Sequence, residues 1–298
     1  MFAIAIIIAF CLIAAGAVMI AIKRNGPAVL DTVDRIAGNG AGVSLVHRET
    51  FGPDPRQKLL VHRMAGAQGA LPVFVFIHGG SWANGDPDNY GFIARNIAPE
   101  GFVVVLAGYR LGETGRYPAM LEDTAEVLAW VRDNIAAHGG DPARITVGGH
   151  SAGAYNAAQV VLEDRWLGPS PVRGVVGLAG PYDFYPYDSE STRATFGSVG
   201  AGADSQPVNH ADGAAPPFLL VHGEEDTLVR PRNSHALAAA LEERGARVET
   251  LFLPGKTHND PLLALAYPWR RDALVFERVT AFLHEVSAVS VPVQAGNP

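Results

Sequence analysis

The sequence predicts an α/β fold with a mostly parallel central sheet flanked by helices. Short apolar runs alternate along the chain with longer segments of helical spacing, the pattern of β-α-β units. Residues 73–77 (VFVFI) are apolar throughout rather than alternating, as in a strand buried on both faces. The chain has 298 residues, 48% of them hydrophobic, with 33 Gly and 21 Pro. That suits one large domain with an extensive core and many tight turns.

Taken in order, residues 1–22 carry no charged side chain, and Lys23 and Arg24 end the run. About twenty apolar residues span a bilayer as a helix, so residues 1–24 are expected to form an N-terminal transmembrane anchor. A cleaved signal peptide is the rival, with Ala15-Gly16-Ala17 as its cleavage site. It would need a basic segment before the run, and none precedes it. The positive-inside rule favours the Lys23/Arg24 side, and with it the folded domain, in the cytoplasm; a periplasmic or secreted domain is the alternative. Residues 25–40, with recurring Gly, Pro and Asn, read as a linker.

The domain is expected over 41–290. Its strands fall at 42–47, 58–63, 73–77, 102–107, 144–148, 174–178, 217–221 and 248–253, and its helices at 119–137, 152–162, 234–244 and 271–286. Residues 183–215 break the alternation, being rich in Gly, Ser, Asp, Pro and Tyr. A loop this long in a compact domain is usually functional, and a lid or cap is expected there. Residues 291–298 read as a tail. The net charge is −7, and no run of Lys or Arg supplies a footprint for nucleic acid. Cys11 is the single cysteine, so no internal disulfide forms. No histidine pair has the H-x-x-x-H spacing of a zinc site; no metal or other cofactor is expected. The oligomeric state is not legible.

Gly149-His150-Ser151-Ala152-Gly153 fits G-x-S-x-G, between a predicted strand and a predicted helix. In that context the serine sits on a sharp turn, its hydroxyl exposed as a nucleophile. The glycines avoid clashes with neighbouring elements, and the Ala152 N–H, at the helix N-terminus, faces a developing oxyanion. His78-Gly79-Gly80-Ser81-Trp82 follows the strand at 73–77. An H-G-G-x loop at that place supplies further main-chain donors: the N–H groups of Gly80 and Ser81, with Gly79 shaping the loop. His78 reads as a structural hydrogen-bonder.

The order Ser, acid, His along the chain leaves His210, His222, His235, His258 and His284 as candidate bases. His258 is favoured, because it follows the last strand in a loop at a carboxyl end, where such sites assemble. His222 reads as structural, while His235 and His284 fall on helical patterns. Asp226, a short turn past the strand at 217–221, is the favoured acid, with Glu224 and Glu225 as rivals. It would orient the imidazole and stabilise the imidazolium. Trp82, Tyr155 and Tyr182 are candidate substrate-binding walls.

These stretches, with Tyr109-Arg110-Leu111, Tyr117-Pro118, Asp123 and Gly140-Asp141-Pro142, resemble the esterase/lipase branch of the α/β-hydrolases that includes hormone-sensitive lipase, bacterial carboxylesterases and kynurenine formamidase. The resemblance covers roughly residues 45–285. It implies the α/β-hydrolase fold, a triad of Ser151, Asp226 and His258, and an oxyanion hole at Gly80, Ser81 and Ala152. Relatives of hormone-sensitive lipase usually carry a third glycine where Ser81 stands, and often Asp in place of His150. H-G-G-x-W with G-H-S-A-G is closer to formamidase and feruloyl-esterase-like relatives. The expected reaction is hydrolysis of a small carboxylic ester through an acyl-enzyme on Ser151. An arylformamidase or amidase with the same triad is the alternative, and a catalytically silent membrane-tethered binding protein is a third reading.

Overall fold

A computed structural model describes residues 2–38, 40–167, 172–198, 202–269 and 273–288, except the side chains of residues 2–15, 17, 18 and 23. The expected tail at 291–298 lies outside the described residues.

Eight strands form one sheet: β1 Val43–Thr50, β2 Lys58–Met64, β3 Leu71–Ile77, β4 Val103–Ala107, β5 Gly140–His150, β6 Val172–Leu178, β7 Phe218–Gly223 and β8 Val248–Leu253. Their order across the sheet is β1-β2-β4-β3-β5-β6-β7-β8. β1 and β2 pair antiparallel, as do β2 and β4. From β4 to β8 every pairing is parallel, as connections that pass through helices require. β3 shows why its residues are apolar throughout. Val73, Val75 and Ile77 pack into one core layer, while Phe74 and Phe76 pack into the layer on the opposite face.

The helices are α1 Phe2–Ala37, α2 Gly91–Ile97, α3 Ala119–Asn134, α4 Ala152–Leu162, α5 Glu190–Phe196, α6 Arg232–Glu243, α7 Asp260–Leu263 and α8 Leu274–Ser287. Met120, Leu128 and Tyr155 from α3 and α4 cover the face of Val75, while Phe92 and Phe282 from α2 and α8 cover the face of Phe74. This is the α/β-hydrolase arrangement. α2 was not anticipated: its seven residues are too short a window for a periodic signal. The expected cap region holds α5 and two single turns, Gly202–Ser205 and Pro207–His210.

Two expectations about the N-terminal region change. The stretch expected to be a linker, 25–40, is helical as far as Ala37. Asn25 leaves helical geometry at φ −156°, ψ 78°, and its side chain accepts from the Ala28 N–H. It therefore acts as an N-cap, which puts Pro27 in the first turn, where a missing N–H costs nothing. The helix then docks through buried acids. Asp34 accepts from Arg95 Nε at 2.7 Å, Asn96 Nδ2 at 2.8 Å and the Tyr267 N–H at 2.7 Å. The expected transmembrane anchor over 1–24 is not supported. Among the described residues no helix is long and apolar enough to cross a membrane, and most side chains of the uncharged run lie outside those described.

Candidate active site

β5 ends at His150, and the chain turns sharply into α4 with Ser151 at φ 55°, ψ −123°. A non-glycine residue held there costs on the order of 1–3 kcal/mol, which the surrounding structure must offset. The Ser151 N–H is tied to the Leu178 carbonyl at the end of β6, at 2.8 Å. The glycines on either side permit the approach. A Cβ on Gly149 would lie 2.4 Å from the Gly153 carbonyl carbon, and one on Gly153 would lie 2.1 Å from the Ile77 carbonyl oxygen. Ala152 opens α4 and lines the pocket beside Ser151; in a first helical turn the N–H groups have no intrahelical acceptor.

The loop after β3 runs against this turn. A Cβ on Gly79 would meet the His150 carbonyl at 2.8 Å and Ser151 Cβ at 3.3 Å. Gly80, at φ 124°, accepts at its carbonyl from the N–H groups of Ala83 (3.1 Å) and Asn84 (3.0 Å). Ser81 adopts φ 54°, a left-handed backbone despite its side chain, and lines the pocket with Ser151. His78 donates from Nδ1 to the Gly79 carbonyl at 2.8 Å and stacks on Tyr109 at 4.6 Å. Burial pushes its pKa down to about 4, so it stays neutral and braces the loop.

Asp226 lies in the turn after β7 and His258 in the loop after β8. His258 Nδ1–H donates to Asp226 Oδ2 at 2.6 Å, and both side chains are buried. Asp226 Oδ1 accepts from the N–H groups of Leu228 and Val229, each at 2.9 Å. Burial opposes ionisation of Asp226, but hydrogen bonds from His222, His258 and Val229 outweigh it and hold the carboxyl well below the usual carboxylate range. With Nδ1 as donor, Nε2 of a neutral His258 is left as an acceptor.

His150 links the two halves. Its Nε2–H donates to the His258 carbonyl at 3.0 Å, and the rings lie 4.8 Å apart. Burial, then the neighbouring His258, lowers its pKa to about 3. The rival groups stand elsewhere. Glu224 and Glu225 are exposed. His210 faces the Asp204 carbonyl, His235 stacks on Phe252, and His284 lies against Phe102. His222 is different: its Nε2 lies 3.1 Å from Asp226 Oδ2. Sequence reasoning missed this contact, which depends on the turn after β7 folding back onto the strand.

A cavity of about 340 Å³ opens at Ser151, lined among others by Trp82, Phe184, Leu228 and Arg230, with Asp188, Ser189, Ser191 and Thr192 from the expected cap region. Trp82 is held by its Nε1–H donating to Asn156 Oδ1 at 3.0 Å. Tyr155 and Tyr182 are not brought to this cavity. Both are fully buried: Tyr155 meets the Trp82 ring edge-on at 5.4 Å, and Tyr182 packs against Gly177 and Gly180. Large aromatics following the Ser151 turn or a strand end serve the core here because a continuous apolar layer lies beneath them. Among the described residues no cluster of His, Cys, Asp and Glu could hold a metal.

The BD-FAE family model matches residues 60–241. Esterase LipQ of Mycobacterium tuberculosis is 32% identical over 259 residues, covering 78% of this chain and 60% of that protein. Isoprenylcysteine alpha-carbonyl methylesterase of Arabidopsis thaliana is 29% identical over 261 residues, covering 78% and 61%. The chain thus spans about 60% of the length of these relatives. Among solved structures, a carbohydrate esterase from gut microbiota superposes with a TM-score of 0.71 at 20% identity, over 82% of this chain and 96% of that one. A thermostable esterase from Pseudomonas putida superposes with a TM-score of 0.67 at 24% identity, over 89% and 88%. At these identities the likeness is one of fold.

Proposed function

The chain belongs to the BD-FAE family, and from that premise we propose that it is a serine hydrolase cleaving small carboxylic esters through an acyl-enzyme on Ser151. The observation that carries this reading is the buried 2.6 Å pair of Asp226 and His258, tied through His150 to a serine held at φ 55°. His258 Nε2 takes the Ser151 proton as the hydroxyl oxygen attacks the ester carbonyl. The oxyanion that forms rests on the N–H groups of Gly80, Ser81 and Ala152, in a loop that Gly79 lets close. His258 then protonates the leaving alcohol. Water enters, gives its proton to His258, and releases the acid by the same steps reversed. Asp226 stays ionised throughout and stabilises the imidazolium. Trp82 walls the pocket. The relatives named as esterases and as a methylesterase support an ester over an amide.

The test is turnover of p-nitrophenyl esters of short to long acyl chains, beside N-formylkynurenine. Preferential cleavage of short esters is the expected result. Turnover of the formamide alone would assign the triad to the formamidase reading. We propose one further element from the sequence alone: the uncharged run at 1–22 as a membrane tether, with Lys23 and Arg24 at its end favouring the domain on the cytoplasmic side. Retention of the full chain in alkaline-washed membranes, with the domain reached by protease only after the membrane is opened, is the outcome that fits.

A further inference from the structure

One buried titratable group touches the reacting constellation without reaching the pocket. His222, the residue before the last of β7, is fully buried, and both ring nitrogens are engaged. Nε2 lies 2.8 Å from the Val229 carbonyl and 3.1 Å from Asp226 Oδ2. The carbonyl and the ionised carboxylate can only accept, so Nε2 carries a proton. Nδ1 lies 2.7 Å from the Ser234 hydroxyl on α6, which donates to it when the ring is neutral.

We propose that His222 is a positioning residue for the reaction: its Nε2–H, locked from behind by Ser234, fixes the Asp226 carboxylate in the rotation that His258 needs. The inference rests on the hydrolase reading above. The terminal torsion of an aspartate is soft. The Leu228 and Val229 N–H groups hold Oδ1 alone. The partner of His258 is Oδ2, and His222 is its second donor. A carboxylate held at both oxygens presents a fixed acceptor to the imidazole, and misplacement by about 1 Å costs on the order of 100-fold in rate. The other titratable groups nearby are committed elsewhere: His150 donates to the His258 carbonyl, and Asp260 accepts from Thr257.

Two conservative substitutions separate positioning from mere filling. By chain length, His222→Asn places an amide where Nδ1 lies, facing Ser234. His222→Gln places one where Nε2 lies, facing Asp226. Both are polar and close to histidine in size. His222→Gln is expected to keep kcat within about tenfold and His222→Asn to lose on the order of 100-fold, with KM little changed in either. Equal losses, or full activity in His222→Asn, would overturn the proposal. A second readout does not depend on turnover. The low-field proton resonance of His258 Nδ1–H is expected in the parent and in His222→Gln, and displaced in His222→Asn. An unchanged resonance in all three overturns the positioning role. A parent chain that turns over no ester instead sinks the hydrolase reading, and the resonance still decides the role of His222.

Discussion

Asp226 takes hydrogen bonds from two imidazoles and two main-chain N–H groups. In the proposed mechanism such a residue does most when a positive charge forms on His258, so its removal is expected to act on kcat. Asp226→Asn keeps the shape, but its amide carries N–H groups toward a site built of donors. Loss of the negative charge and of the correct imidazole tautomer is expected to lower kcat by on the order of 10⁴-fold, leaving the fold intact by circular dichroism. A folded Asp226→Asn variant within tenfold of the parent would remove Asp226 from the mechanism. At this scale chain order and strand ends made legible which side chains meet: His258 and Asp226, picked from the sequence, form a buried pair. The sequence was not legible for His222, whose bond to Asp226 depends on how one turn folds back on the strand that feeds it. Nor could it tell Tyr155 and Tyr182 from pocket walls, since an aromatic beside a motif reads alike whether it faces the cavity or the layer beneath.

Among the elements, the β5–α4 turn tolerates little change. The Gly153 Cα faces the Ile77 carbonyl so closely that a methyl group would lie 2.1 Å from it. The contact is with backbone of Ile77 and His78, so α4, which begins beside Ser151, or the end of β3 must give. Gly153→Ala is therefore expected to destabilise the fold by at least about 1–3 kcal/mol, the range for overpacking, and to depress activity. Urea unfolding measures it, and an unchanged midpoint with full activity would contradict the tight elbow. The central strands at 73–77 and 102–107 were foreseen because each is a continuous apolar run bounded by turn residues. α1 beyond Asn25 was not, because Gly26 and Pro27 are breakers in most settings. Here an asparagine cap and the buried acids Asp31 and Asp34 turn the same residues into a helix start.

The whole molecule carries three histidines, His78 and His150 buried and His62 half-buried, that its folded state keeps neutral. Burial lowers His62 and His78 to about 4 and His150 to about 3. In the unfolded chain each takes up a proton near pH 6.5. Below that value the unfolded state binds more protons, so stability present above about pH 6.5 is lost as pH falls toward the folded values, at about 1.4 kcal/mol per unit for each group. Asp226, also depressed, contributes stability above its unfolded value of about 4 and loses it only at lower pH. The melting temperature is therefore expected to drop steadily from pH 6.5 to 4, and a flat profile across that window would contradict the neutral state of these rings.

A live nucleophile at Ser151 would react with a fluorophosphonate. It is tested most directly by intact-mass spectrometry after exposure to a fluorophosphonate, with peptide mapping of the adduct. One adduct per chain is expected, mapped to Ser151 and absent from Ser151→Ala. A parent chain that stays unlabelled, or a Ser151→Ala variant labelled to the same extent, would contradict it.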